Sequence, residues 1–89
     1  MWHVDTSKDF EKFLSKHRDI APKILQILRT LAIDPYNNSL DIKRIINKPA
    51  CYYRVRVGQY RLVYKLITTD KTIFFEEADA RGGIYKNKK

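Results

Sequence analysis

An alternating stretch between Cys51 and Ile67 constrains the fold more than any other part of the sequence. From Tyr52 onward, apolar and polar side chains alternate with a period of two, and the alternation resumes after Gly58 and Gln59. A period of two is typical of a β-strand with one buried face, and a two-residue turn that begins with glycine joins adjacent antiparallel strands. The stretch therefore predicts a β-hairpin with its turn at Gly58-Gln59.

The position of this turn determines which residues face each other across the hairpin. One predicted face carries only apolar and aromatic pairs, namely Val57 with Tyr60, Val55 with Leu62, and Tyr53 with Tyr64. The opposite face carries the other three pairs, namely Arg56 with Arg61, Arg54 with Val63, and Tyr52 with Lys65. Because the register and the apolar face agree over three pairs, the arginines are predicted to share the outer face of the sheet.

The predicted register places Arg56 opposite Arg61, with their side-chain roots about 5 Å apart, where like charges destabilise a sheet. In one interpretation, the long side chains extend into water, where screening makes the repulsion small. In the other interpretation, the face binds phosphate. A guanidinium group is planar and permanently charged, and it can donate two parallel hydrogen bonds to phosphate oxygens. A second turn centred on Thr69-Asp70 would pair Arg61 with Ala78 and bring the segment that holds Arg81 beside it.

The residues before the hairpin predict a short strand, two helices and a connector. Residues 2–5 fit a strand, and Thr6 with Asp9 has the spacing of a helix start. Residues 19–33 carry an apolar stripe at helical spacing, whereas residues 40–49 form a basic connector of ambiguous structure. A further strand over residues 72–78 completes an α+β fold, with two N-terminal helices packed on one face of a small, mainly antiparallel sheet. We expect a single domain over residues 1–89.

The charge of the chain is concentrated in its C-terminal portion. The net charge is +8, and residues 35–89 hold twelve basic and five acidic groups, against six and five in residues 1–34. Such an asymmetric basic charge indicates a polyanionic partner, although excess lysine also serves solubility. The single cysteine, Cys51, excludes an internal disulfide and favours a reducing compartment. With no signal peptide and no apolar run of about 20 residues, we expect a soluble cytoplasmic protein without membrane contact.

No metal or cofactor is expected from the sequence. His3, His17 and Cys51 lack the spacing of a metal site. Glu76, Glu77 and Asp79 have the chemistry to hold magnesium, but adjacent residues of a strand face opposite ways, so a two-metal nuclease is not expected.

The hairpin sequence YRVRVGQYRLVY, residues 53–64, resembles the core of the RelE/ParE toxin superfamily. The helix start at residues 10–12, the second helix and the spacing from Arg81 to Tyr85 extend the resemblance over residues 10–85. For the RelE branch, the resemblance implies a ribosome-dependent, metal-independent endoribonuclease that cleaves messenger RNA in the ribosomal A site. It also implies a cognate antitoxin that covers the basic face.

The resemblance also suggests which residues form the site. Arg61 and Arg81 would stabilise the charge that develops on the phosphorane, since fixed cations are usually the largest catalytic contribution. Arg54 and Arg56 would position the flanking phosphates. Tyr85 would act as the base, with its pKa lowered from about 10 by neighbouring guanidinium groups, or as a stacking platform. General attraction to RNA is assigned to the basic residues Lys43, Arg44, Lys48 and Lys65.

Two other functions fit the same scaffold. The first is a ParE-type poison of DNA gyrase, because Ala80 stands where many family members have histidine before the late arginine. The second is a catalytically weak module that binds RNA or protein. It would hold phosphate without cutting the chain.

Overall fold

A five-stranded sheet with two helices against one face forms the protein. The computed structural model describes residues 1–49 and 51–80. The strand order is β1-β5-β4-β3-β2, and all neighbours are antiparallel except β1, which runs parallel to β5. This arrangement confirms the predicted α+β class. The elements are β1 (His3–Thr6), α1 (Lys8–Lys16), α2 (Ala21–Ile33), β2 (Asp41–Arg44), β3 (Tyr52–Val57), β4 (Tyr60–Ile67) and β5 (Thr72–Ala80).

The β3–β4 hairpin has the predicted register throughout. Its pairs run from Tyr52 opposite Lys65 to Val57 opposite Tyr60, with Arg56 opposite Arg61. Gly58, the first turn residue, has a φ of 61°, which glycine adopts without steric cost. The three arginines of the hairpin therefore share the outer face, away from the helices.

The core lies between the helices and the inner face of the sheet. The Phe75 ring is central, with its centroid 5.3 Å from that of Phe10 on α1 and 5.1 Å from that of Tyr64 on β4. The apolar stripe of α2 packs against the same cluster through Ile24, Leu28 and Leu31. Burying side chains of this size contributes about 1.5–3 kcal/mol each. Among the described residues, neither helix is long and apolar enough to cross a membrane.

Several element bounds differ from the sequence prediction. The first strand, β1, lies one residue later than residues 2–5, and β5 continues two residues beyond residue 78, to Ala80. Helix α1 begins one residue later than predicted, because Ser7 and not Thr6 is the N-cap. The Thr6 hydroxyl instead donates to Glu11 at 2.8 Å. Helix α2 begins at Ala21, two residues later than predicted. The ambiguous connector contains a strand, β2, which pairs with β3.

A β-bulge in β5 overturns the predicted register of the second hairpin. From Tyr64 to Ile67, the partners follow the turn at Thr69-Asp70, but at Val63 the register shifts by one residue. Arg61 therefore faces Asp79, not Ala78. Glu76 is the extra residue, because Phe75 pairs with Tyr64 and Glu77 pairs with Val63. Beyond the extra residue, each side chain of β5 faces the opposite side of the sheet from the one that strict alternation predicts.

The Ser7 side chain connects the start of α1 to this bulge. Its Oγ accepts from the Phe10 N–H at 3.0 Å and donates to the carbonyl oxygen of Glu76. We expect Ser7→Ala to lower the free energy of unfolding by about 1–3 kcal/mol, because it removes a helix cap and leaves a part-buried carbonyl without this donor. Urea denaturation measures the change. The control is Ser15→Ala on the exposed side of α1, which should change the value by less than about 0.5 kcal/mol. Equal effects of the two substitutions would contradict the prediction.

Burial raises the pKa of the Tyr64 hydroxyl, which has no hydrogen-bond partner among the described residues. The unfolded chain releases this proton near pH 10, whereas the folded protein retains it, so stability falls as the pH rises above about 10. We expect Tyr64→Phe to leave the free energy of unfolding at pH 7 unchanged or to raise it by up to about 1 kcal/mol. Above pH 10, the variant should lose stability less steeply than the parent.

Urea denaturation at pH 7 and pH 11 tests this prediction, and Tyr36→Phe, at an exposed tyrosine, is the control at pH 7. A loss of more than about 2 kcal/mol at pH 7 for Tyr64→Phe would show that the hydroxyl is satisfied in the folded protein.

Candidate functional site

Charged residues form rows across the outer face of the sheet. One row runs from β2 to β5 through Asp41, Arg56, Arg61 and Asp79. The two opposed arginines are therefore flanked by an acidic residue on each side, and Asp41 Oδ2 lies 3.7 Å from Arg56 Nη1. Opposite charges on neighbouring strands attract, so the flanking acids offset the repulsion between the arginines.

A second row lies next to the first and consists of Lys43, Arg54, Val63 and Glu77. Arg54 and Arg61 are diagonal neighbours across β3 and β4, within reach of long side chains. The small side chain of Val63 separates Arg54 from Glu77. The centre of the outer face is therefore a shallow apolar position with a cation on one side in this row and a carboxylate on the other.

The connection between β2 and β3 forms one wall of a groove over these rows. The groove has a volume of about 470 Å³, which is within the range of ligand-binding clefts. Four of the predicted site residues, Arg44, Lys48, Arg54 and Arg61, line it together. The full lining consists of Arg44, Ile45, Ile46, Asn47, Lys48, Arg54, Arg61, Val63 and Glu77.

Lys65 belongs to a separate cluster around Tyr52. The Tyr52 hydroxyl donates to Glu76 Oε2 at 2.7 Å, and Lys65 Nζ lies 3.9 Å from the same oxygen. Lys48 Nζ and Lys65 Nζ lie 5.0 and 5.7 Å from the centroid of the Tyr52 ring, as cation–π contacts. The hydrogen bond to Glu76 and the negative charge of this carboxylate raise the pKa of Tyr52. This cluster is joined to the groove through Lys48.

The remaining predicted residues are spread more widely. Arg56 lies beside the groove in the first row, next to Asp41, and Lys43 is exposed on β2. Arg81 and Tyr85 lie outside the described residues. Tyr53 faces the core as predicted, with its ring stacked 6.0 Å from that of Tyr64.

The sequence prediction missed Glu77 and the apolar wall formed by Ile45 and Ile46. Strict alternation places Glu76 and Glu77 on opposite faces, and that expectation is wrong because the bulge puts both on the outer face. The sequence signal for the wall was Ile46, an apolar residue in a basic connector, which is 94% exposed. Among the described residues, no group of three or more His, Cys, Asp or Glu side chains is placed to hold a metal ion.

No family model matches the sequence. A curated protein from Methanocaldococcus jannaschii, "Putative toxin RelE1", is 30% identical over 82 residues, which cover 86% of this chain and 90% of the relative. In the crystal structure of the RelB-RelE antitoxin-toxin complex from Methanococcus jannaschii, one chain is 33% identical. That match covers 94% of this chain and 98% of the other, with a TM-score of 0.77.

The archaeal RelE-RelB complex from Pyrococcus horikoshii has the same fold, with a TM-score of 0.78 at 24% identity. The match covers 91% of this chain and 96% of the other. The sequence relative and the shared fold confirm the resemblance seen in the hairpin motif. This chain belongs to the RelE family, the toxins of toxin–antitoxin systems, within the RelE/ParE superfamily.

Proposed function

We propose that this RelE-family toxin is a ribosome-dependent endoribonuclease that cleaves messenger RNA in the A site. The observation that carries the proposal is the groove in which Arg54 and Arg61 line the same space as Arg44 and Lys48. Four cations around one cleft suit a phosphate-rich chain, and the apolar wall gives a base or ribose a surface to contact.

The proposed reaction uses the RNA's own 2′-hydroxyl as the nucleophile. The hydroxyl loses its proton, the 2′-oxygen attacks the adjacent phosphorus, the bond from phosphorus to the 5′-oxygen breaks, and that oxygen gains a proton. The products are a 2′,3′-cyclic phosphate end and a 5′-hydroxyl end, and water can then open the cyclic phosphate to a 3′-phosphate. DNA is not a substrate because it lacks the 2′-hydroxyl.

The arginines would supply the positive charge for this reaction, without a metal ion. Arg61 would stabilise the phosphorane, since preorganised cations act most strongly where charge develops. Arg54, with Arg56 in the adjoining row, would position the flanking phosphates. Arg81 would share the role of Arg61, and Tyr85 would serve as a base or a stacking platform.

The other cations would hold the message in place. Lys43, Arg44, Lys48 and Lys65 would contact the backbone without reading its sequence, so binding should weaken as salt is raised. Action on ribosomes would place the protein in the cytoplasm.

A cognate antitoxin is the proposed partner. The Methanococcus jannaschii and Pyrococcus horikoshii structures are complexes of RelE with RelB. For this chain, we propose a RelB-type antitoxin with an acidic segment that occupies the groove, because a net charge of +8 attracts such a segment.

Substitution of Arg61 tests the nuclease. We expect Arg61→Ala to slow A-site cleavage by about 100- to 1000-fold, because it removes one preorganised charge from the transition state. The assay is in vitro translation of a defined message, with the cleavage positions and end groups mapped. The control, Arg29→Ala, removes the same charge from the exposed side of α2 and should leave cleavage unchanged. Thermal melting verifies that both variants fold.

Three outcomes would contradict the proposal. Undiminished cleavage by Arg61→Ala would remove Arg61 from the site. Loss of gyrase supercoiling without cleavage of the message would favour a ParE-type poison. Salt-sensitive RNA binding without a cyclic or 3′-phosphate product would favour a binding module.

A further inference from the structure

The groove contains one carboxylate among its cations. Of the described residues that line it, Glu77 alone has an acidic side chain. A negative charge here weakens the binding of phosphate in the ground state. A carboxylate here speeds the reaction only if it stabilises the transition state more than it stabilises the bound substrate.

The other lining residues are poor acceptors for a proton at neutral pH. Arginine retains its proton above about pH 12, so Arg44, Arg54 and Arg61 cannot take one from a ribose hydroxyl. A lysine ammonium has three donors and no acceptor, and Lys48 Nζ lies over the Tyr52 ring, 5.0 Å from its centroid. A glutamate side chain is ordinarily ionised at neutral pH and has an oxygen lone pair available.

The bulge in β5 brings this carboxylate into the groove. Without the extra residue, Glu77 would face Leu62 on the inner side of the sheet, where Ala78 packs against the core instead. The Ser7 backbone N–H donates to the Phe75 carbonyl at 2.9 Å, and the Ser7 hydroxyl donates to the Glu76 carbonyl. Two hydrogen bonds from the start of α1 therefore hold the bulge and fix the position of Glu77.

The spacing of the strands suits a role for Glu77 opposite the arginines. Glu77 and Arg54 lie in the same row, with β4 between their strands. At ordinary strand spacing, their backbones are therefore about 10 Å apart. Glu77 is also a diagonal neighbour of Arg61, within about 8 Å. A phosphate held between Arg54 and Arg61 would therefore have its ribose within reach of the Glu77 carboxylate.

We propose that Glu77 is the general base of RNA cleavage in this toxin, an inference that rests on the proposed function. Glu77 takes the proton of the 2′-hydroxyl as the 2′-oxygen bonds to phosphorus. The bond to the 5′-oxygen breaks, water protonates the departing oxygen, and Glu77 returns its proton to water. Tyr85 is then left with the stacking role.

Chemical rescue tests this assignment. Single-turnover cleavage of a ribosome-bound message is measured for the wild type, Glu77→Ala and Glu77→Gln, with and without formate. We expect both variants to cleave about 100- to 10 000-fold more slowly. Formate should restore part of the rate to Glu77→Ala, where the side chain leaves space, but not to Glu77→Gln. Asp70→Ala, in the exposed turn before β5, removes the same charge and should cleave normally with no response to formate.

A message with a 2′-deoxy residue at the cleavage site can bind but cannot be cut. Its binding therefore reports the effect of the Glu77 charge on affinity, apart from any effect on the cleavage step. Both Glu77 variants should bind this message as tightly as the wild type or more tightly, because a negative charge has been removed. Wild-type cleavage rates for the variants, slow cleavage that formate does not restore in Glu77→Ala, or weaker binding would each overturn the assignment while leaving the nuclease intact. A wild-type protein that does not cleave the message would instead overturn the proposed function, and the assignment with it.

Discussion

The register of the β3–β4 hairpin is the constraint on which the rest of this structure depends. Side chains alternate along a strand, so a slip of β3 by one residue would turn Arg54 and Arg56 toward the helices and Val55 toward solvent, and a slip of β4 would do the same to Arg61 and Leu62. An unpaired charge in the core costs several kcal/mol, and each exposed aliphatic side chain loses about 1.5–3 kcal/mol of burial. The core and the basic face are therefore two results of one pairing, and neither can change without the other.

The outer face shows how a sheet accommodates several like charges. In the first row, Asp41 and Asp79 flank Arg56 and Arg61, so the charges alternate in sign across four strands. The exposed Asp41–Arg56 pair contributes at most about 1 kcal/mol, so its main effect is on the local field and less on stability. In the groove next to it, apolar walls of low dielectric focus the field of the cations. Charges that pair with each other and the cations of the groove thus lie side by side on one surface.

The bulge in β5 links this surface to the helical layer. One extra residue, Glu76, moves Glu77 to the arginine side of the sheet and lets Ala78 pack against the core. Glu76 also accepts two hydrogen bonds. Its carbonyl accepts one from the Ser7 hydroxyl, and its carboxylate accepts one from the Tyr52 hydroxyl. These two hydrogen bonds connect the start of α1 to the Tyr52 cluster beside the groove, although the two lie on opposite faces of the sheet.

The sequence by itself determined the α+β class, the first hairpin and the shared face of Arg54, Arg56 and Arg61, because local periodicity and one glycine turn encode all of these. The family followed from the same hairpin motif. Only the tertiary structure decided the bulge and the groove. Ser7 meets Glu76 69 positions later in the chain, and residues 45–48 line one groove with side chains of β3, β4 and β5. A local pattern of alternation carries no information about such contacts, since they depend on which distant segments meet once the core has formed.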